Sequence, residues 1–281
     1  MKDTKVQWHP GFVAAMNLEL AGNRDDLIFV KEHNLNTKPL EIDLLIIKKE
    51  SDLLLDNEIG IIFRGHNILE YKSPDDHLDI DTFYKACAYA CLYKSYGETI
   101  DSIKADDITV TLVRDAKPYA LFKYFKEHGY WVTKSYKGIY YVEGSVLFPT
   151  QIIVTRELEQ GNHIWLKSLS DRMEKQDVER LLESISHLTK KTDRELADSV
   201  LGVSVRANKQ VIEELIGDSC MNQALMEIME PQLRLWEKEW IQKGIKATVD
   251  VLRDLHHDDT EIKNIIKNKY NLSDNEAEEY L

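Results

Sequence analysis

Cysteine is scarce in this chain of 281 residues, which contains only Cys87, Cys91 and Cys220. An odd and sparse set of cysteines provides no disulfide framework. Cys87 and Cys91 lie four residues apart, a spacing that is typical of small side chains at a close helix contact. Because no second pair of ligands follows at zinc-finger spacing, the sequence does not favour a zinc site.

Long apolar runs are also missing. No stretch is long and apolar enough to span a bilayer, and no hydrophobic signal region follows residues 1–5. We therefore expect a cytoplasmic protein with no membrane partner.

The chain also lacks the excess of basic charge that is expected of a protein that holds DNA through its phosphates. It has 36 basic and 49 acidic residues, and its formal net charge is −13. This balance argues against tight non-specific DNA binding without excluding cleavage. Basic side chains can still cluster in space, and the candidates for such a cluster are Lys48, Lys49, Arg64 and Lys72.

Two apolar stretches carry charged residues where buried strands are expected. Residues 39–47 place Asp43 inside a branched-aliphatic run, although strand preference disfavours aspartate. Residues 67–74 contain Glu70 and Lys72, which are two apart and therefore project from the same face of a strand. The neighbouring positions are apolar on both faces, which is typical of strands inside a covered sheet.

Two explanations account for charges in such strands. The first is a cross-strand ion pair between half-exposed strands. The second is a bound divalent cation, which would offset the desolvation and mutual repulsion of Asp43 and Glu70. Mg²⁺ takes oxygen ligands, commonly one or two carboxylates together with water and substrate phosphate. Lys72 would then stand beside the metal-bound water.

Asp43, followed by Glu-Tyr-Lys at residues 70–72, resembles the D…(D/E)xK signature of the PD-(D/E)XK nuclease superfamily. The sequences around both, residues 42–49 and 66–76, are similar to the bacterial branch of recombination-promoting nucleases and transposase-like proteins. The chain departs from the pattern at Ile42, which stands where the superfamily's name has proline. The resemblance implies a restriction-endonuclease-like core and metal-dependent hydrolysis of DNA.

The resemblance also implies roles for individual residues. Asp43, Glu70 and the carbonyl of Tyr71 would ligate Mg²⁺ or Mn²⁺, and Lys72 would orient the attacking water. Glu19, on the apolar stripe of the predicted first helix, matches a glutamate that often faces the metal site, where it would support a water or a second ion. A partly exposed glutamate at a helix end is the alternative interpretation.

The helix predicted after the second of these strands carries two further candidates. Some related nucleases have a QxxxY element there, and Lys85 with Tyr89 looks like a version in which lysine replaces glutamine. The similarity implies contact with substrate phosphate. An ordinary amphipathic helix with a solvated lysine also fits the pattern.

Hydrophobic periodicity predicts an α/β fold with a mixed sheet flanked by helices. Residues 1–157 are expected to form the nuclease-like domain, and residues 158–281 a mainly helical C-terminal region. Strands are predicted near residues 26–31, 39–47, 59–64, 68–72, 108–113, 130–136, 139–142 and 151–154. Helices are predicted near residues 8–21, 81–96, 118–128, 173–188, 208–216 and 227–255, with a helical hairpin at 260–281.

The C-terminal region contains no catalytic motif. Trp236 and Trp240 lie four apart on its longest predicted helix, a face that suits packing within the domain or against a second copy of the chain. A homodimer through the C-terminal helices is therefore an open prediction.

Three functions remain open at this point. The resemblance favours a metal-dependent DNA endonuclease with a transposase-like or recombination-associated role, and no phosphate-binding glycine loop, GxSxG or HExxH motif competes with it. The alternative is a noncatalytic interaction or regulatory protein on a nuclease-like scaffold. A third function is cleavage of RNA instead of DNA.

Overall fold

The computed structural model describes residue 6 and residues 8–34, 41–50, 53–216 and 223–281. The strands are β1 (Leu27–Asn34), β2 (Glu41–Lys48), β3 (His66–Lys72), β4 (Ile108–Arg114), β5 (Tyr130–Tyr136), β6 (Ile139–Gly144) and β7 (Thr150–Val154). The α-helices are α1 (Trp8–Glu19), α2 (Ile80–Ser95), α3 (Tyr119–Glu127), α4 (Ile164–Lys167), α5 (Lys175–Ser186), α6 (Lys191–Ala207), α7 (Lys209–Ile216), α8 (Gln223–Asp254), α9 (Asp259–Tyr270) and α10 (Asp274–Glu278).

The seven strands form one mixed sheet in the order β1-β2-β3-β4-β7-β6-β5. The central pairs β3–β4 and β4–β7 are parallel, and the outer pairs are antiparallel. Parallel neighbours need a crossover, and α2 provides it between β3 and β4. The predicted α/β class, with a mixed sheet flanked by helices and a helical C-terminal region, is confirmed.

Helices cover both faces of the sheet near its centre. On one face, Phe83 of α2 and Phe125 of α3 belong to a buried cluster with Ile68 of β3. On the other face, Phe12 of α1 stacks on Tyr71 of β3 with ring centroids 4.6 Å apart. Because β3 is covered on both sides, its side chains are buried at every position except the two ends.

The strand predicted at residues 59–64 is wrong, because this segment forms turns. Asn57 Oδ1 accepts a hydrogen bond from the Ile59 backbone N–H at 2.9 Å, and the Asn57 carbonyl accepts one from Gly60 at 2.8 Å. Asn side chains favour such local turns over strands. Ile59 and Phe63 are nonetheless buried, which explains why their pattern looked like a strand. Residues 53–65, here called the β2–β3 connection, precede β3 without forming a strand.

The C-terminal helices differ from the prediction in several places. Neither α4 nor α6 was predicted, and α8 continues through Pro231. Asp258 caps α9 through the Glu261 backbone N–H. Ser273 and Glu276 form a capping box at the start of α10.

The side chain of Trp236 lies outside the described residues. Trp240, the other tryptophan of α8, is 62% exposed.

The chain divides into two compact units, Met1–Leu225 and Met226–Leu281. The first includes helices beyond residue 157, the predicted domain boundary, because α6 packs against α1. The second has its own small core, in which Ile245 and Val249 of α8 pack with Ile262 and Ile266 of α9. Among the described helices, none is both long enough and apolar enough to cross a membrane.

Candidate active site

Asp43 lies where β2 and β3 stop pairing. The ladder between the two strands pairs Leu44 with Leu69, so its continuation would place Asp43 opposite Glu70. The pairing ends before that position, and Asp43 Oδ2 instead accepts a hydrogen bond from the Tyr71 backbone N–H at 2.8 Å. The carboxylate of Asp43 thus accepts the hydrogen bond that a backbone carbonyl would accept in a regular ladder. Asp43 therefore lies beside the segment of β3 that carries Glu70 and Lys72.

Glu70 is 2% exposed and has two cationic partners. Lys72 Nζ lies 2.9 Å from Glu70 Oε1, and Lys85 Nζ of α2 lies 3.5 Å from the same oxygen. A buried carboxylate needs such partners because desolvation penalises its charge. The predicted pair on β3 is therefore formed, and a third predicted residue joins it from the adjacent helix.

Lys85 reaches the site because α2 is fixed at its start. Asp79 caps the helix by accepting a hydrogen bond from the Thr82 backbone N–H at 2.8 Å. Burial lowers the pKa of Lys85, but attraction to Glu70 and contact with Tyr89 outweigh it and raise the pKa overall. The Lys85 side chain is still 49% exposed, so it is accessible to a ligand.

Tyr89 is the less accessible member of the predicted phosphate-contacting pair. It is 2% exposed and belongs to the core beneath α2. Lys85 Nζ lies 5.1 Å from the centroid of its ring, within the range of a cation–π contact. The structure thus places Tyr89 as a support for Lys85.

His9 is a site residue that sequence reasoning missed. Its Nε2 lies 3.6 Å from Asp43 Oδ2, and its ring makes an edge contact with Tyr71 at 5.7 Å between centroids. The Asp43 carboxylate raises the pKa of His9. The sequence indicated only that a helix begins near His9, because no local pattern links this residue to Asp43, which lies 34 positions away.

Glu19 is not placed with Asp43 and Glu70. Its Oε2 lies 2.9 Å from His163 Nδ1, and its Oε1 accepts the Leu166 backbone N–H at 3.1 Å. His9 and Glu19 are ten residues apart on α1, which corresponds to roughly 15 Å along the helix. The glutamate on the first helix therefore holds α4 in the structure.

The basic cluster considered from the sequence does not form around the site. Lys48 and Arg64 flank the start of β3, where the Lys48 backbone N–H bonds to the Gly65 carbonyl, whereas Lys72 is at the end of that strand. The six steps from His66 to Lys72 span roughly 20 Å in an extended strand. Local positive charge at the site comes from Lys72 and Lys85 instead.

The donor atoms of the site suit a hard cation. Asp43 and Glu70 supply carboxylate oxygens, and the Tyr71 carbonyl lies on the side of β3 that faces β2, because its own N–H does. Within the described ranges, no three His, Cys, Asp or Glu side chains are grouped as metal ligands. A metal here would therefore be held by two side chains and the backbone, with water and substrate completing its coordination.

Comparisons with known proteins add nothing to this geometry. No known family, curated protein or solved structure matches the chain significantly. The resemblance to the PD-(D/E)XK superfamily rests on Asp43 and residues 70–72 with the sequences around them.

Proposed function

We propose that the chain is a divalent-metal-dependent nuclease that hydrolyses phosphodiester bonds of DNA on a restriction-endonuclease-like core, in a transposase-like or recombination-associated role. The observation that supports this best is the meeting of Asp43, Glu70 and Lys72 at the end of β2 and β3. Asp43 comes from the neighbouring strand and accepts the Tyr71 backbone N–H, which lies between Glu70 and Lys72 in the chain, and Glu70 is a carboxylate that is costly to bury.

Each side chain has a distinct part in this proposal. Asp43, Glu70 and the Tyr71 carbonyl would hold Mg²⁺ or Mn²⁺, and such an ion would supply a water of lowered pKa and offset charge on the phosphate. Lys72 moves from Glu70 toward the phosphate and stabilises the negative charge that develops there. Lys85, half-exposed beside Glu70, binds a neighbouring phosphate.

The proposal is tested with supercoiled plasmid in the presence of Mg²⁺ or Mn²⁺. We expect the wild type to nick the plasmid, and Asp43→Asn and Lys72→Ala to lose at least about a hundredfold in rate. Lys104→Ala is the control, because Lys104 is an exposed lysine that pairs with Asp101 at 2.7 Å. Nicking that survives in both site variants would reject the assignment.

The same assay with labelled RNA decides the substrate class. Because the chain's net charge is −13, local basic side chains must hold the nucleic acid, since the electrostatic field of the whole protein repels it. Faster cleavage of RNA than of single- and double-stranded DNA would mean that RNA is the substrate of the nuclease.

A second candidate function is a noncatalytic interaction or regulatory protein on the same scaffold. One observation favours it: the buried Glu70 carboxylate already has two cationic partners, Lys72 and Lys85, so it is compensated without a metal ion. Calorimetric titration with Mn²⁺ separates the two candidates. The nuclease requires binding that Glu70→Ala abolishes, whereas the noncatalytic protein gives no binding heat in either form.

We also propose, from exposed apolar residues on α8, that the C-terminal helices pair two copies of the chain. Leu235 and Trp240 are 51% and 62% exposed, which leaves apolar area on α8 that a second copy of the chain would cover. Sedimentation of the full chain should show a dimer that Trp240→Glu dissociates. A monomer at all concentrations would reject the pairing.

A further inference from the structure

A buried histidine lies between two acids at a distance from the candidate active site. The His163 side chain is 1% exposed. Its Nδ1 is 2.9 Å from Glu19 Oε2 on one side, and its Nε2 is 3.1 Å from Glu58 Oε2 on the other. The Glu19 side chain is fully buried, whereas Glu58 is 31% exposed.

With both carboxylates ionised, the hydrogen-bond chemistry of this arrangement calls for a doubly protonated ring. An ionised carboxylate only accepts hydrogen bonds, so each ring nitrogen that faces one must carry a proton. Only the imidazolium has both N–H groups. A neutral ring would point one lone pair at a carboxylate in a buried setting, where such repulsion is costly. The two acids contact opposite ring nitrogens, so this group cannot enclose a single metal ion.

The three residues belong to three separate segments of the first unit. Glu19 ends α1, Glu58 lies in the turns of the β2–β3 connection, and His163 directly precedes α4. Two backbone contacts strengthen the junction: Glu19 Oε1 accepts the Leu166 N–H at 3.1 Å, and the Glu19 carbonyl accepts Asn57 Nδ2 at 2.8 Å.

We propose that His163, as an imidazolium, clamps the β2–β3 connection to α1 and α4, and that loss of its proton releases Glu58 and opens the connection. The connection contacts the sheet at Ile59. The Ile59 carbonyl accepts a hydrogen bond from Nε2 of the buried Gln151 on β7 at 2.9 Å. Glu58 is the partner that moves, because it alone of the three is accessible to water. The clamp is independent of nuclease activity and is tested without it.

Other charges near His163 are already engaged. Glu159, which precedes α4, pairs with Lys137 at 2.7 Å, and Lys167 donates to the carbonyls of Arg156 and Leu158. Burial lowers the pKa of His163, but the carboxylates of Glu19 and Glu58 outweigh it and raise the pKa above its ordinary value. The stabilisation is therefore complete below about pH 6.5, the unfolded value, and is lost as the pH rises through the folded value.

The first test is an NMR titration of histidine-labelled full-length protein. His163 should be protonated on both nitrogens at pH 6 and should titrate above the ordinary value. Glu58→Gln should lower its titration midpoint, because an amide attracts the imidazolium less than a carboxylate does. Glu159→Gln is the matched control, since Glu159 is nearby and makes no hydrogen bond to the ring. A singly protonated ring at pH 6, or equal midpoints in both variants, would overturn the proposal.

The second test is hydrogen exchange of the backbone amides at residues 53–64 between pH 6 and pH 9. After correction for intrinsic exchange, protection of these amides should fall about tenfold for each unit by which the pKa of His163 in the closed form exceeds its pKa in the form that has released Glu58. Amides of β4 serve as the internal reference, and in Glu58→Gln the fall should disappear. If the protection of residues 53–64, after the same correction, does not change with pH, the connection does not open when His163 loses its proton.

Discussion

Lys72 Nζ lies 2.9 Å from Glu70 Oε1, and both side chains project from the same face of β3. Glu70 is almost completely buried, so it depends on this ammonium group and on that of Lys85. The pair therefore stabilises the fold whatever its role in chemistry. This relationship allows structural and catalytic effects of the site to be separated.

Lys72→Ala should reduce the free energy of unfolding by about 1–3 kcal/mol, because it leaves Glu70 buried with one cationic partner. Urea unfolding at pH 7 measures the loss. The double variant Lys72→Ala, Glu70→Gln should recover at least half of it by removing the unpaired charge. A double variant no more stable than the single one would show that the two side chains are not coupled.

Lys85→Ala should weaken the binding of nucleic acid without abolishing cleavage. If Lys85 contacts one phosphate, its loss lowers the slope of log affinity against log salt concentration by about one. Binding to a labelled oligonucleotide across a range of salt concentrations measures this slope. Lys123→Ala, which removes a 76% exposed lysine of α3, is the control and should leave the slope unchanged.

Asp79→Ala should destabilise the protein by about 1 kcal/mol at pH 7, because α2 loses its cap. The Thr82 backbone N–H lowers the pKa of Asp79, so the cap is strongest above the ordinary value of that carboxyl and weakens as the pH falls through the folded value. Urea unfolding at pH 7 and pH 3 should therefore show a smaller difference between variant and wild type at pH 3. Asp79→Asn, which retains an acceptor, should lose much less at pH 7.

Gly138→Ala should be far more destabilising than Gly129→Ala, although both glycines have a positive φ, +78° and +80°. The backbone strain alone costs about 1 kcal/mol in each case. A Cβ at Gly138 would also lie 2.7 Å from the Leu158 backbone nitrogen and 2.8 Å from the Val154 carbonyl oxygen, whereas Gly129 has open space around it. Thermal unfolding of both variants measures the difference, and equal losses would contradict the close approach of Gly138 to Val154 and Leu158.

Local patterns in the sequence were sufficient to locate most elements. The apolar runs around Asp43 and Glu70 predicted β2 and β3 to within two residues, since a strand buried on both faces leaves a continuous hydrophobic signal. The same signal failed at Ile59 and Phe63, where turns bury apolar residues without forming a strand. Sheet order was beyond reach, because β7 pairs with β4 across a crossover that no local pattern encodes.

The candidate site was predictable only where its chemistry is local. Glu70 and Lys72 are two residues apart, so their common face follows from strand geometry alone. His9 and His163 were missed because their partners lie far away in the chain, with 144 positions separating His163 from Glu19. Glu19 was correctly identified as an unusual acid on an apolar helix face, but its partner is a buried imidazole.

The outer strand β5 bears on how the protein behaves in concentrated solution. Its pairing with β6 shifts register between Lys134 and Tyr136, and Trp131 on the same strand is 63% exposed. An exposed strand with a large aromatic residue invites sheet extension by another molecule, but an irregular ladder and a lysine interrupt the regular hydrogen bonding that such growth needs. The bulge therefore limits aggregation through this edge while leaving Trp131 accessible.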